Sequence, residues 1–441
     1  MSRPAEILSQ EKMSAAQIVA IALCVMLNAL DGFDVLSISF AAPGISQEWG
    51  IDRGALGLVL SMELIGMSIG SIFLGQIADK IGRRPIIILC LCVMATGMYA
   101  ASTASNINIL SSYRLITGLG IGGMLACTNA MVAEFSNDKY RSLNITIMAA
   151  GYPVGAIVGG AIASELLVHF DWRSVFIFGS IFTIALLPLV LIAMPESVSS
   201  IISRRPANAL EQVNKILKKL GHAAVDALPD PVAEKSGGGL GRLLGPDLVK
   251  ITIFLTAAYF AHIMTFYYIL KWIPKLVVDM GFVASEAGNV LVWANVGGAT
   301  GGVLLGLATR KLDIRWLVIA ALAASFVFVS YFGVGQSDLQ GLAMVSAAAG
   351  FCTNAGVVGL YALIANYYPA DVRAGGTGLV IGVGRGGAAL GPIIAGFLFE
   401  TGQGLQVVSI IMATGSVIGL LALLMLGRQK TEETKAEPEA A

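Results

Sequence analysis

The chain has 441 residues, of which 56% are hydrophobic and only 13% are charged, and its mean hydropathy is +0.79. Soluble globular domains carry about 25% charged residues, so this composition excludes an ordinary soluble protein. The 28 basic and 28 acidic residues balance to a formal net charge of zero. That balance excludes a nucleic-acid-binding protein that relies on overall basicity and a disordered acidic chain.

Twelve apolar stretches are each long enough to cross a bilayer as a helix, which takes about 20 residues. In chain order they cover residues 17–42, 54–78, 85–104, 108–133, 142–168, 173–194, 249–274, 286–309, 315–334, 338–366, 374–400 and 404–427. The first stretch contains Asp31 and Asp34 and has no small-residue cleavage site, so we interpret it as a membrane span and not as a signal peptide.

The cysteines and histidines give no sign of a disulfide framework or a metal site. All five cysteines lie inside apolar runs, and no pair of CxxC motifs occurs. The three histidines are far apart in the sequence. We therefore expect no metal and no cofactor. Because no nucleophile–base pair is apparent either, we do not expect an enzyme.

The twelve spans divide into two sets of six. The polar residues 195–248 separate a predicted N-terminal bundle, 17–194, from a predicted C-terminal bundle, 249–427; residues 1–16 and 428–441 flank them. The two sets repeat each other, since Arg141, Gly155 and Gly159 recur at identical spacing as Arg373, Gly387 and Gly391. This pattern predicts an all-α membrane protein of two six-helix halves, with a site between them near the midplane.

Loop charge predicts the orientation. Most Lys and Arg residues lie in the termini and the even-numbered loops, whereas the odd-numbered loops hold only Arg53, Arg173 and Lys275. By the positive-inside rule, both termini are expected in the cytoplasm.

The loop between spans two and three carries a recognisable motif. It reads Gly75-Gln76-Ile77-Ala78-Asp79-Lys80-Ile81-Gly82-Arg83-Arg84 and resembles the GxxxDxxGRR loop of the major facilitator superfamily. Span four adds Arg114-x3-Gly118-x-Gly120-x-Gly122, which resembles the RxxxGxGxG motif of that superfamily. The corresponding loop of the second half departs from the motif, with Arg310 and Asp313 in place of Asp and Gly. The resemblance implies gating roles for Gly75, Asp79, Gly82, Arg83 and Arg84. Glu134 and Arg141 are predicted to be partners in the same gate.

Motifs in spans one and eleven resemble those of one particular family within the superfamily. Asp31-Gly32-Phe33-Asp34, together with Gly382–Gly387 and Leu390-Gly391-Pro392 in span eleven, resembles the aromatic acid/proton symporter family. That family implies a monomeric carrier in the bacterial inner membrane, surrounded by lipid, which imports a benzoate-like acid together with protons. The alternative is another metabolite/proton or sugar carrier of the same superfamily.

Charged residues inside membrane spans are costly and usually functional. Asp31 and Asp34 lie three residues apart on one helix face, and two close carboxylates resist double ionisation, so we interpret them as a proton site. Arg114 lies at nearly the depth of Asp34 and is the predicted partner of that carboxylate, either for coupling or as a structural pair. Glu63, in the middle of span two, is a second proton candidate.

Arg385 is the predicted ligand of a substrate carboxylate. It lies near the middle of span eleven with no acidic residue within two turns on its own helix, and its planar fork suits a carboxylate. Arg114 is the alternative ligand. Lys271 is expected about 5 Å from the outer end of span seven, where it can snorkel. Further candidates for contact with the substrate, which core packing would also explain, are Tyr259, His262, Phe266, Asn354 and Tyr361.

Overall fold

The computed structural model describes residues 4–229, 240–369 and 372–426, and within these ranges the chain forms sixteen α-helices and no β-strand. Twelve helices are long and apolar enough to cross a membrane; the four shorter ones are α1, α8, α9 and α10. In chain order the helices are α1 (Pro4–Gln10), α2 (Ala15–Trp49), α3 (Arg53–Ile81), α4 (Arg83–Ser102), α5 (Ile107–Phe135), α6 (Arg141–His169), α7 (Arg173–Ala193), α8 (Val198–Arg204), α9 (Ala209–Lys219), α10 (Leu240–Leu243), α11 (Val249–Asp279), α12 (Ala284–Ala308), α13 (Ile314–Phe332), α14 (Leu339–Tyr367), α15 (Arg373–Glu400) and α16 (Leu405–Leu426).

The predicted segments at the edges of the two halves are only partly within the described residues. The described part of residues 195–248 forms α8, α9 and α10, while residues 230–239 lie outside the described ranges. The predicted tail, 428–441, also lies outside them.

Two spans are longer than the sequence predicts because proline does not end them. Helix α2 begins at a capping box, in which the side chains of Ser14 and Gln17 each accept a hydrogen bond from the other residue's backbone N–H. The helix continues through Pro43 and ends at Gly50, whose backbone adopts the left-handed conformation. Helix α11 continues through Pro274 and ends at Asp279. The residues in the last predicted turn of α11 therefore lie more than one turn deeper in the bundle than expected.

The sequence repeat is also present in the packing. In the first half, a Cβ atom at Gly155 of α6 would collide with the carbonyl oxygen of Ala29 in α2. In the second half, a Cβ atom at Gly387 of α15 would collide with the carbonyl oxygen of Phe260 in α11. Equivalent glycines thus let equivalent helix pairs approach backbone to backbone.

The two halves contact each other mainly at one end of the bundle. We call this the far end; it is marked by the ion pair between Arg53 and Asp279, whose atoms lie 2.9 Å apart. There α3 crosses α15, and a Cβ atom at Gly57 would lie 3.1 Å from the Cα atom of Gly396.

The opposite end, which we call the basic end because it contains Arg83 and Arg84, is open between the halves. A Cβ atom at Gly378 or Gly382, in the half of α15 nearest this end, would meet nothing within 4 Å. We call the open space beside this part of α15 the cleft.

Candidate functional site

Five charged side chains are buried together between the cleft and the far end. Each is at most 2% exposed, and they come from α2, α3, α5 and α11. They are Asp31, Asp34, Glu63, Arg114 and Lys271, which we call the buried cluster. A charge in such a position is stable only with a partner or a proton.

Glu63 lies at the centre of this cluster and contacts two cations. Its carboxylate forms an ion pair with Arg114 from α5, and its second oxygen lies 3.6 Å from the Lys271 Nζ atom of α11. Close packing of α3 on α5 places Arg114 there, because a Cβ atom at Gly118 would collide with the carbonyl oxygen of Glu63. Lys271 also donates to the carbonyl oxygen of Val35. One carboxylate therefore joins both halves of the chain.

Arg114 does not pair with the Asp34 carboxylate, contrary to the sequence expectation. Its Nη2 atom donates to the main-chain carbonyl of Asp34 at 2.8 Å, and its charge is paired with Glu63. The Asp34 carboxyl group instead faces α7, where a Cβ atom at Gly179 would lie 3.2 Å from its Oδ1 atom. The rotation of α2 about its axis thus separates the two groups, although their depths match.

The two aspartates differ from Glu63 in their surroundings. No cation in the described part of the chain lies within ion-pair distance of the Asp31 or the Asp34 carboxyl group, and both side chains are buried. An ionised carboxylate without a counter-charge is costly in this position.

The expectation that Lys271 snorkels at the end of its span is wrong. Lys271 is fully buried because α11 continues eight residues beyond it to Asp279. At about 1.5 Å per residue this places it about 12 Å from the helix end. As one of few basic residues within the spans, Lys271 was recognisable from the sequence as a candidate for the buried cluster. Its predicted distance from the end of the span was too short.

Arg385 lies on the wall of the cleft and has no ion-pair partner among the described residues. Its only direct hydrogen bond there is from Nη1 to the carbonyl oxygen of Met67, at 3.4 Å. Tyr259 and Tyr267 lie close enough to interact with it electrostatically. Tyr361 completes this group, because its hydroxyl lies 3.0 Å from that of Tyr259 and the two rings are 5.5 Å apart.

Two further tyrosines lie in this region. Tyr267, on α11, lies two turns beyond Tyr259 on the same helix. Tyr152, on α6 of the other half, interacts with Tyr267 and with Asp31. Its hydroxyl is buried and lies next to that of Tyr267. No sequence pattern predicted that it would face the cleft.

Two of the predicted substrate contacts, His262 and Asn354, lie away from Arg385, and a third, Phe266, packs behind the tyrosines. His262 is fully buried in the second half, where its ring nitrogens contact the Ser416 hydroxyl at 3.0 Å and the Thr353 carbonyl at 2.9 Å. Asn354 donates to the carbonyl oxygen of Gly298 at 2.7 Å and joins α14 to α12. Phe266 is buried and packs edge-on against Tyr267. His262 is therefore a packing residue, whereas Phe266 supports the tyrosine group from behind.

The predicted gating loop is ordered by contacts within the first half. Arg83 pairs with Glu134 at 2.9 Å, and Glu134 also accepts a hydrogen bond from the Ser199 backbone at 2.9 Å. Gly82 has a φ of +115°, which favours glycine, and a Cβ atom there would collide with Glu196.

The predicted pairing of Arg141 with Glu134 is absent from the described residues. Arg141 pairs instead with Asp138 at 3.0 Å and donates to the carbonyl oxygen of Ala133. It does so because it lies at the start of α6, directly after the turn that contains Asp138. Arg84 donates to the carbonyl oxygen of Leu191, while Asp79 is exposed at the basic end. A Cβ atom at Gly75 would lie in ordinary contact with α5, 3.8 Å from the Cβ atom of Ala126.

Comparison with known proteins gives a consistent picture. The family model described as Major Facilitator Superfamily matches residues 21–288 and 255–441. A gallate transporter of Pseudomonas putida is 30% identical over 96% of this chain and 94% of its own length, and a 4-hydroxybenzoate transporter of Pseudomonas aeruginosa is 26% identical over 95% and 94%. Among solved structures, a partially occluded inward-open form of the E. coli xylose transporter matches with a TM-score of 0.74 at 18% identity, covering 96% of this chain and all of that one.

Proposed function

Since the chain belongs to the Major Facilitator Superfamily, we propose that it imports a small aromatic carboxylate together with protons across a bacterial inner membrane by alternating access. The observation that carries this proposal is Arg385, an arginine on the wall of the cleft that no acidic side chain of the described residues neutralises. A substrate that brings its own negative charge completes this site.

The surroundings of Arg385 suit an aromatic acid. The guanidinium fork can hold a carboxylate through two parallel hydrogen bonds. Tyr259, Tyr267 and Tyr361 offer ring faces for stacking and hydroxyl groups for polar ring substituents. Relatives over almost the whole chain length are named as carriers of gallate and 4-hydroxybenzoate, both of which are aromatic acids.

The buried cluster suits proton coupling. Asp31, Asp34 and Glu63 face only two cations, Arg114 and Lys271, so one carboxylate is left over for a proton. Because the cluster is enclosed in the membrane, an excess charge there is expensive, and proton uptake and release can follow the motion of the halves.

The remaining roles follow from the orientation that we propose. Placing the basic end in the cytoplasm satisfies the positive-inside rule and puts both termini there, so the cleft opens to the cytoplasm and the far end faces outside. In this arrangement Gly75, Asp79, Gly82, Arg83 and Arg84, with Glu134, act as a cytoplasmic gate away from the substrate. We further propose that 17–194 and 249–427 move as two bundles of a monomer.

Uptake of radiolabelled benzoate into proteoliposomes with an acidic exterior tests the proposal. Unlabelled aromatic carboxylates should compete, whereas benzamide, which has the ring but no charge, and xylose should not. Arg385→Ala should abolish uptake because the carboxylate loses its cation, while Arg373→Ala, at the exposed start of the same helix, should retain it. Competition by xylose without competition by aromatic acids would favour a sugar carrier instead.

A further inference from the structure

The distribution of charge in the buried cluster is unequal between the two halves of the chain. Asp31, Asp34, Glu63 and Arg114 all belong to helices of the first half, and Lys271 alone belongs to the second. With the far end closed, three carboxylates meet two cations. When the halves part at that end, Lys271 leaves with α11, and the same three carboxylates retain only Arg114.

We propose that Lys271 is the moving counter-charge that displaces the transported proton from Glu63 when the halves close at the far end. This inference rests on the proton coupling proposed above and names the residue that displaces the proton. A proton and the Lys271 ammonium group compete for one carboxylate, so each weakens the binding of the other. Opening the far end therefore favours protonation of Glu63, and closing it favours release.

The proton has an acceptor inside the cluster. In the closed state Glu63 contacts two cations, whereas no cation of the described residues lies within ion-pair distance of Asp31 or Asp34. As Lys271 arrives, the O–H bond of Glu63 breaks and an O–H bond forms on one of the aspartates, so the number of protons is unchanged. Asp31 interacts with Tyr152, which interacts with Tyr267 beside Arg385, so the acceptor lies on the side toward the cleft.

The other groups around Glu63 do not move in the same way. The charged and titratable side chains that face it from the neighbouring helices are Arg114 on α5, Asp31 and Asp34 on α2, Tyr152 on α6, and Lys271 and Tyr267 on α11. Lys271 is the one cation in this set that is carried by the second half. Its main-chain anchor, the Val35 carbonyl, also lies across the boundary between the halves, so the contact exists only when the far end is closed.

Two transport measurements on the full chain test this assignment. Accumulation of labelled benzoate driven by a proton gradient requires proton release, whereas exchange of labelled for unlabelled benzoate does not. In Lys271→Gln the proton stays on Glu63, so accumulation should fall by about tenfold or more while exchange stays within about twofold. Lys271→Arg should keep accumulation. Lys250→Gln, at the exposed start of α11 away from the cluster, is the matched control and should behave as wild type.

The pair can also be removed as a whole. Glu63→Gln alone leaves Lys271 buried and unpaired, so closure and both transport modes should fail. The double variant Glu63→Gln/Lys271→Gln removes both charges and should regain exchange without accumulation. If Lys271→Gln does not reach the membrane, accumulation and exchange in this double variant test the role of Lys271 instead. Proton-driven accumulation at the wild-type level in Lys271→Gln or in the double variant overturns the assignment of Lys271, whereas wild-type uptake that ignores a protonophore overturns the proton coupling itself.

Discussion

At the scale of single residues, the basic side chains deep within the spans divide by the partners that they find. Among the described residues, Arg114 has a carboxylate, Lys271 has a carboxylate and a carbonyl, and Arg385 has only a carbonyl. Removing a cation from water costs several kcal/mol unless an anion compensates, so an arginine without a partner is the one prepared for an anionic ligand. This difference in partners is the basis for separating the substrate site from the proton site.

The Arg385→Lys substitution tests the shape of this contact as well as its charge. Lysine keeps the positive charge but loses the planar fork, so the affinity for benzoate should fall by about tenfold, which is about 1.4 kcal/mol. Equilibrium binding to purified protein measures it, with Arg373→Lys as the control on the same helix. Wild-type affinity in Arg385→Lys would mean that the carboxylate is bound elsewhere, and Arg114 would then be the candidate.

The sequence indicated which charged residues lie deep within the spans but not how they pair. Asp34 and Glu63 both lie at depths that Arg114 can reach, and depth follows from counting residues. The rotation of each helix decides which carboxylate faces the arginine, and that depends on packing against α5 and α7. For the same reason His262, a polar residue in the middle of a span, turned out to bond within its own half.

At the scale of helices, glycine positions set the distance between partners. Gly155 and Gly387 occupy equivalent places in the two halves, and each lies against a backbone carbonyl of the first span of its half. The spacing of these glycines predicted the repeat correctly. The ends of α2 and α11 were predicted less well, because Pro43 and Pro274 lie inside continuous helices that neighbouring spans support.

A pair of glycine substitutions on α15 tests the packing. At Gly387 an added methyl group would collide with the Phe260 carbonyl, so Gly387→Ala should destabilise the purified protein by about 1–3 kcal/mol. Gly382→Ala, on the same helix, adds the methyl group in open space and should leave the melting temperature unchanged or slightly higher. Equal melting temperatures for both variants in detergent would contradict this helix contact.

At the scale of the whole molecule, the contacts between the halves define one state of a transport cycle. The halves meet at the far end through Arg53 and Asp279 and through Gly57 and Gly396, and they part toward the basic end. The sequence predicts two halves with a site between them but not which end is closed. Closure at the far end and closure at the basic end use the same helices. The free-energy difference between the two states depends on side-chain contacts that the periodicity of the sequence does not predict.

One acid and its proton are expected to enter together, and the pH of the medium records this. A concentrated benzoate solution is added to de-energised cells in a weakly buffered suspension, and the external pH is recorded. Wild-type cells should alkalinise the medium as the acid enters, a protonophore should abolish the change, and Arg385→Ala cells should show none. Uptake of labelled benzoate by wild-type cells with no change in external pH would rule out coupled entry of acid and proton.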